Sequence, residues 1–463
     1  MPAHVIDSLF FRDLFGTPAM RRVFDDLTLL QKWLDFEAAL ARAQAGLGMM
    51  PQSAADEITA QARADRMDTD AIKQGIDKTV HPLVSVIWQL SNHCADDAGR
   101  YVHWGATTQD VMDTAIVLQI RDALPLFEDA IERLKVVMSR LARLHRATPI
   151  AGRTHGQQAL PTTFGAKIAV WLAELERQRQ RLEAGKPRVL VGEFGGAVGT
   201  LAGLAESDVD ELAVQTALMK ELDLGVPPIA WHTSRDGIVE FALIVVQLAA
   251  LMGRIAHEVI DLQKQEFGEV EEPFEMGKVG SSTMPHKRNP MLCEAVLTLA
   301  RLCREKAATA VDTLVYNEHE RDWSSFQMEW AYLPELCVMA HGALEITWRV
   351  LDGLIVYPDR MRRNLDLTGG LLLAERVMFA LGESVGRQAA HDVVYECAMH
   401  SIETQRAFLD VLCDDARVNV HLSREGIAAL LEPAAYTGLA ARFVDRVLEW
   451  TSSERAWSRK GCK

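Results

Sequence analysis

A regular apolar stripe near the middle of the chain constrains the fold more than any other feature. Phe127, Ile131, Leu134, Met138 and Leu141 follow one another at intervals of 4, 3, 4 and 3 residues. This spacing places all five side chains on one face of an α-helix. Such a stripe is typical of a helix that packs lengthwise against others in a bundle, so the spacing predicts a long bundle helix here.

Four further segments show helical periodicity. They are predicted as helices over 166–182, 236–265, 292–316 and 333–354. The last helix is placed to begin there because a proline, Pro334, is tolerated in the first turn of a helix.

No stretch alternates convincingly between apolar and polar residues, and only 189–201 fits a strand as well as a helix. The sequence therefore predicts an all-α fold in three helical regions. These are a shorter region over 1–104, a block of long helices over 105–357 and a C-terminal region over 358–463.

Composition excludes several classes of function. The chain has 463 residues, of which 49 are Lys or Arg and 64 are Asp or Glu, so its net charge of −15 opposes binding to nucleic acid or anionic lipid. The seven scattered cysteines form no Cys-x-x-Cys pair and are typical of reduced thiols. Residues 1–10 lack a secretory signal, and the most apolar stretch, 238–253, is short for a bilayer. We therefore expect a cytoplasmic protein with no membrane or nucleic-acid partner.

Three polar, glycine-containing segments interrupt the helical pattern, at 103–110, 152–158 and 277–290. The third combines flexible glycines, adjacent hydroxyls and a basic end, which indicates a hinged loop that binds anions. A surface turn chosen for flexibility is the alternative on composition alone. Because no segment shows metal-ligand spacing or a framed phosphate loop, no metal and no organic cofactor are expected.

These segments carry a family resemblance. GSSTMPHKRNP (280–290) resembles the signature loop of the fumarase/aspartase superfamily, and HWGATTQD (103–110) and GRTHGQQALPTTFG (152–165) resemble its two other characteristic regions. NLDLTGGLLLAER (364–376) extends the resemblance over nearly the whole chain. It implies a homotetramer whose long helices form a twenty-helix bundle, with each active site shared between subunits. It also implies removal of a proton beside a carboxylate and loss of a group from the neighbouring carbon, usually giving fumarate.

The resemblance assigns the signature loop to catalysis and substrate binding. Ser281 matches the serine that removes the proton, and Ser282 lies beside it. Lys287 and Asn289 match positions that bind a substrate carboxylate. The deprotonated intermediate is a dianion, so fixed positive charge and hydrogen-bond donors are the main requirement of such a site.

The other two regions supply further candidates. Thr107 and Thr108 match the polar pair that holds the same end of the substrate, and Arg321 is expected to add positive charge with Lys287 and Arg288.

The resemblance also assigns histidines. His155 matches the histidine that protonates the leaving group in adenylosuccinate lyase-like members, and the nearby Thr154 and Gln157 are expected to bind substrate. His81 lies where those members carry a partner histidine, although it can equally be a helix-start residue capped by local backbone.

Two departures bear on the substrate. The arginine that follows the Glu-Arg pair in adenylosuccinate lyases is absent after Arg321, where Trp323, Phe326 and Trp330 suit a smaller or partly apolar group. The segments EHER and 430–448 resemble 3-carboxymuconate cycloisomerases, which usually replace the histidine found here as His155.

A retained acid at His155 favours C–N cleavage of an N-substituted aspartate. A lactonising cycloisomerase and an inactive structural homologue are the alternatives. In each case the partner is a small di- or tricarboxylate.

Overall fold

A computed structural model describes residues 3–205, 208–274, 283–284 and 286–452. Within these residues long helices dominate, and the predicted all-α class is confirmed. The first helices are α1 (Pro18–Val23), α2 (Asp26–Gly46), α3 (Gln52–Gln61), α4 (Thr69–Thr79), α5 (Val84–His93), α6 (Thr108–Leu144), α7 (Phe164–Val189), α8 (Glu211–Leu222) and α9 (Asp236–Gln263). They are followed by α10 (Met291–Asp312), α11 (Trp323–Asp352), α12 (Pro358–Asn364), α13 (Ala374–Val385), α14 (Arg387–Thr404), α15 (Phe408–Asp414), α16 (Ala416–Asn419), α17 (Arg424–Leu430) and α18 (Ala440–Ser452).

The chain forms two compact units. The first comprises residues 1–131, 178–253 and 295–345, and the second comprises 132–177, 254–294 and 346–463. The core of the first unit includes Phe36 and Leu40 of α2 together with Val111 of α6. A core of the second includes Leu381 and Phe408. The predicted division into three sequence regions stays a prediction.

Helix α9 is long and apolar enough to cross a membrane by composition, with a mean hydropathy of 2.0 over its most apolar window. However, 67% of that window is buried within the protein. Burial of this extent is typical of the central helix of a folded core. It explains why this segment carries few charged residues.

The largest error in a predicted helix boundary is at the start of α11. Helix α11 begins at Trp323, so Pro334 lies inside the helix and not in its first turn. The Asp322 side chain accepts a hydrogen bond from the Ser324 N–H (2.8 Å) and thereby caps the helix start. Phe326 packs edge-to-face on Trp330, at 5.0 Å between ring centroids, which stabilises the first turns ahead of the proline.

Two short antiparallel strand pairs were not predicted. Strands β1 (Pro149–Thr154) and β2 (Gln157–Thr163) form a hairpin in which Thr154 pairs with Gln157. Strand β3 (Val270–Glu271) pairs with β4 (Ile355–Val356). The hairpin loop is His155-Gly156, and both residues have positive φ, 53° and 76°. A two-residue loop of this kind with glycine second is a recognised hairpin signal, and it was overlooked because the flanking strands do not alternate.

Candidate active site

The first unit contains a pocket whose cavity measures about 140 Å³. It brings together four residues that the sequence analysis selected from distant segments. The full lining is His81, Thr107, Thr108, Gln109, Arg321, Asp322, Trp323 and Phe326.

The two threonines lie at the start of α6. Thr108 is the first residue of the helix, and the Thr107 N–H donates to the carboxylate of Asp110 (2.9 Å). A helix N-terminus presents unpaired N–H groups and a partial positive charge, which favour a bound carboxylate. The local sequence thus places both hydroxyls where an anionic substrate group would be stabilised.

His81 contacts this helix start directly. Its Nε2 lies 3.1 Å from Thr108 Oγ1, and its Nδ1 lies 3.4 Å from the Val84 N–H, which can only donate. Nδ1 is therefore the acceptor, and Nε2 carries the proton and donates to Thr108. Burial and the nearby positive charge of His103 lower the pKa of His81, so the imidazole is neutral at pH 7. His81 thus contacts the start of its own helix and also lines the pocket, and its catalytic role stays a prediction.

Arg321 supplies the positive charge of the pocket. Its Nη1 donates to Thr107 Oγ1 (3.1 Å), and its Nη2 donates to the backbone carbonyl of Ala197 (2.8 Å). Its Nε is buried and has no hydrogen-bond partner among the described residues. Within the same described residues its hydrogen bonds go to a hydroxyl and to backbone carbonyls, and not to a carboxylate. A guanidinium held by neutral groups keeps its full charge available to an anionic ligand.

Aromatic rings form another side of the pocket. Trp323 meets His81 edge-on at 6.3 Å between centroids and packs against Phe326 at 5.9 Å. Phe326 is buried, whereas Trp330 is 37% exposed. A ligand in this pocket would therefore contact polar donors on one side and aromatic surface on the other.

A buried charged cluster, which the sequence analysis missed, adjoins the threonine segment. Asp110, Glu193 and His232 bring potential metal-ligand atoms within 4.8 Å of one another. His232 Nε2 lies 2.7 Å from Asp110 Oδ1 and 3.9 Å from Glu193 Oε1. The three residues come from segments more than 30 residues apart, so no spacing rule could have found them.

The hydrogen bonds of this cluster occupy Asp110 fully. Oδ1 accepts from the Gly195 N–H (2.9 Å) and from His232, while Oδ2 accepts from the N–H groups of Thr107 (2.9 Å) and Gly196 (3.0 Å). A cation bound here would have to displace these four donors, and the geometry favours a hydrogen-bonded network over a metal site.

Burial sets the protonation of the cluster. It raises the pKa of Glu193 to about 8, although the positive charge of His232 opposes the shift. Burial would lower the pKa of His232, but its hydrogen bond to Asp110 and the charges of Glu193 and Asp110 raise it. At neutral pH we therefore assign a protonated Glu193, and the hydrogen bond to Asp110 favours the charged form of His232.

A second buried ion pair lies next to this cluster. Arg235 donates to both oxygens of Asp113 (2.7 and 2.9 Å) and also binds Glu329, and all three side chains are fully buried. Paired burial of this kind satisfies each charge. It joins α6 and α11 to the residue that precedes α9. It also contacts the pocket lining, because Asp113 accepts a hydrogen bond from Gln109 (3.1 Å) and the Arg235 guanidinium lies 5.9 Å from the centroid of the Phe326 ring.

The remaining histidine candidate lies in the second unit. His155 and Thr154, with Gln157 opposite, form the exposed tip of the β1–β2 hairpin. The hairpin is anchored close to this tip by Arg153, which donates to both carboxylate oxygens of the fully buried Glu269 (2.8 and 2.9 Å). The bidentate pair fixes the hairpin and leaves its tip free to reach a ligand.

The signature loop is only partly described. Ser281 and Ser282 lie outside the described residues. Lys287 is exposed, and Asn289 lines a small cavity of the second unit. Arg288, expected to strengthen the positive field, instead donates to Glu271 (2.8 Å) and stacks over the Phe274 ring at 4.0 Å.

The predicted residues thus fall into two groups. His81, Thr107, Thr108 and Arg321 line one pocket of the first unit. The second unit carries the others that are described, namely Thr154, His155, Gln157, Lys287 and Asn289. Their roles, and the sharing of a site between subunits, stay predictions.

Comparisons with known proteins identify the family of this chain. A family model described as lyase matches residues 15–303, and a model described as adenylosuccinate lyase C-terminus matches residues 370–447. N-acetyl-S-(2-succino)cysteine lyase of Dickeya dadantii is 40% identical over 97% of this chain and 98% of its own length. The 3-carboxy-cis,cis-muconate cycloisomerase of Pseudomonas aeruginosa is 44% identical over 95% of each chain.

A solved structure extends the likeness to three dimensions. The crystal structure of fumarate lyase from Mesorhizobium sp. BNC1 superposes with a TM-score of 0.88 at 41% identity, covering 94% of this chain and 98% of that one. The resemblance stated from the three motifs is therefore confirmed, and the chain belongs to the lyase family of the fumarase/aspartase superfamily.

Proposed function

We propose that this protein catalyses β-elimination from a succinyl-type substrate, specifically C–N cleavage of an N-substituted aspartate with release of fumarate. The observation that carries the proposal is the pocket in which Arg321 and the two threonines converge beside a neutral histidine. These groups are the donors and the fixed charge that a carboxylate beside the reacting carbon requires.

The chemistry needs a base and an acid in addition to this carboxylate site. Following the family resemblance, Ser281 removes the proton from the carbon beside the carboxylate, which leaves an extra negative charge on that carboxylate. The helix start at Thr108 and the Arg321 guanidinium stabilise charge that develops there. His155 then donates a proton to the departing nitrogen, since an amine is a poor leaving group unless it is protonated.

The aromatic side of the pocket bears on the leaving group. Trp323 and Phe326 provide apolar contact area near the threonines, which suits a substituent with an apolar portion better than a nucleotide phosphate. The relatives named N-acetyl-S-(2-succino)cysteine lyase support elimination of a heteroatom from a succinyl carbon. Sulfur is therefore included beside nitrogen in the test.

A cycloisomerase is the second candidate. It is supported by the 44% identity to the cycloisomerase of Pseudomonas aeruginosa and by a lactonising enzyme from Pseudomonas putida, whose structure superposes with a TM-score of 0.89. Such a reaction needs no acid for an amine leaving group, and His155 is the residue that argues against it.

A substrate panel separates the candidates. The purified protein is incubated with fumarate plus a set of amines and thiols, with N-succinyl and S-succinyl compounds, and with 3-carboxymuconate, while fumarate absorbance is followed. Fumarate release from N-succinyl compounds supports the proposal. Lactone formation from 3-carboxymuconate without turnover of any succinyl compound would overturn it, and no turnover at all would favour an inactive homologue.

We further infer a cytoplasmic homotetramer with shared sites. The family resemblance carries this inference, because it implies that each active site is assembled from several subunits. Mixing two inactive variants, Ser281→Ala and His155→Asn, tests the sharing. Activity regained after mixing and subunit exchange supports it, whereas no recovery from a confirmed hybrid tetramer contradicts it.

A further inference from the structure

Asp110 is fully buried and does not line the pocket, yet it contacts the segments that do. Its two oxygens accept hydrogen bonds from three backbone N–H groups and one imidazole. One N–H belongs to Thr107, at the start of α6, and the other two belong to Gly195 and Gly196, in the segment that follows Glu193.

Arg321 bridges the same two segments from the pocket side. Its guanidinium donates to Thr107 Oγ1 and to the carbonyls of Gly196 (3.4 Å) and Ala197 (2.8 Å). The guanidinium of Arg321 is therefore positioned by Thr107 and by the 195–197 segment. Asp110 in turn accepts hydrogen bonds from the backbone of both.

We propose that Asp110 is a positioning residue of the active site, which holds Thr107 and the 195–197 segment, and through them Arg321, in the geometry that binds the substrate carboxylate. The proposal rests on the proposed function for the substrate, but the hydrogen-bond geometry that it invokes does not depend on which leaving group is used.

The chemistry of the side chain explains why a carboxylate is needed. All four partners are donors, and an ionised carboxylate offers acceptors at both oxygens. An asparagine would place its NH₂ group against either Gly195 N–H or the pair formed by Thr107 and Gly196. A buried donor facing another donor is destabilising, so the substituted side chain would release at least one of the two segments.

The test compares Asp110→Asn with Glu329→Gln as a matched control. Glu329 is an equally buried carboxylate, but within the described residues its hydrogen bonds go to Arg235 and to neither segment. For a succinyl substrate that the enzyme turns over, Asp110→Asn is expected to raise KM about tenfold or more, with kcat reduced less. Glu329→Gln is expected to lower the midpoint of urea unfolding and to leave KM within about twofold of the wild type.

Hydrogen exchange provides a readout that needs no substrate. Peptides covering 105–109 and 194–199 are expected to exchange faster in Asp110→Asn than in the wild type, and to be unchanged in Glu329→Gln. His232→Gln, which removes the imidazole donor and leaves the backbone donors in place, is expected to give the same pattern with a smaller change. It serves as the test if Asp110→Asn does not fold.

The outcomes are distinguishable. Unchanged exchange in both peptides, or equal rises in KM for Asp110→Asn and Glu329→Gln, would overturn the positioning role. If no succinyl compound is turned over but both peptides exchange faster, the proposed function fails and the positioning of the two segments stands.

Discussion

Replacing Glu193 with glutamine should change how the stability of this protein depends on pH. Burial raises the pKa of this carboxyl from 4.5 to about 8 in the folded chain, and Asp110, Asp113 and His232 are the charged groups that face it. The folded state therefore keeps a proton that the unfolded state has already released, so stability falls as pH rises between these two values.

The magnitude follows from the size of this difference. At about 1.4 kcal/mol per pH unit, a rise from 4.5 to about 8 amounts to about 5 kcal/mol in total. Most of this stability is lost below pH 7, and about 2 kcal/mol of the loss falls between pH 6 and pH 8. Glutamine keeps the acceptor for the Trp231 N–H, which Glu193 Oε2 now provides, and carries no titratable proton.

The assay is urea unfolding followed by circular dichroism at pH 6, 7, 8 and 9, at fixed protein concentration and ionic strength. Between pH 6 and pH 8 the free energy of unfolding of Glu193→Gln should rise by about 2 kcal/mol relative to that of the wild type. This difference should level off by pH 9. Glu132→Gln, a change at a side chain that is 57% exposed, serves as the control and should track the wild type. Parallel pH profiles for wild type and Glu193→Gln would refute the raised pKa and the buried proton.

Three further predictions concern activity. Ser281→Ala should lower kcat by at least about 1,000-fold with the oligomer intact by sedimentation, and near-normal turnover would remove Ser281 as the base. His155→Asn should reduce kcat about 100-fold or more for succinyl compounds with poor amine leaving groups and far less for good leaving groups; an equal loss across a leaving-group series would contradict its role as the acid. Arg321→Met should raise KM for the substrate about 100-fold in initial-rate measurements, because charge-assisted hydrogen bonds to a carboxylate are lost. Arg288→Met removes a cation that is already paired with Glu271, so the same measurement should show little change in KM.

Much of the fold could be read from the sequence because the long helices carry strong periodicity. The predicted segment 236–265 is α9 at Asp236–Gln263, and 292–316 begins one residue after α10 does. The stripe from Phe127 to Leu141 lies within α6. Periodicity failed at Trp323, where a capping aspartate and packed aromatic rings start a helix that continues through Pro334.

The candidate site was only partly readable. Motif resemblance selected His81, Thr107, Thr108 and Arg321, and the structure places all four on one pocket. It could not show that Arg288 is bound to Glu271 while Arg321 has no ion-pair partner among the described residues. Whether an arginine forms an ion pair depends on which acidic side chain lies within about 4 Å of it in the folded chain. The sequence alone does not give that distance.

The sequence by itself determined that this chain is helical, that it belongs with lyases and which polar segments are candidates for the active site, because helical period and short motifs are local properties. Only the tertiary structure decided how Asp110 holds the Thr107 and Gly196 backbones together with His232. Hydrogen bonds among residues 85 or more positions apart form only after the helices pack, and burial then sets the protonation of the buried Asp110–Glu193–His232 cluster.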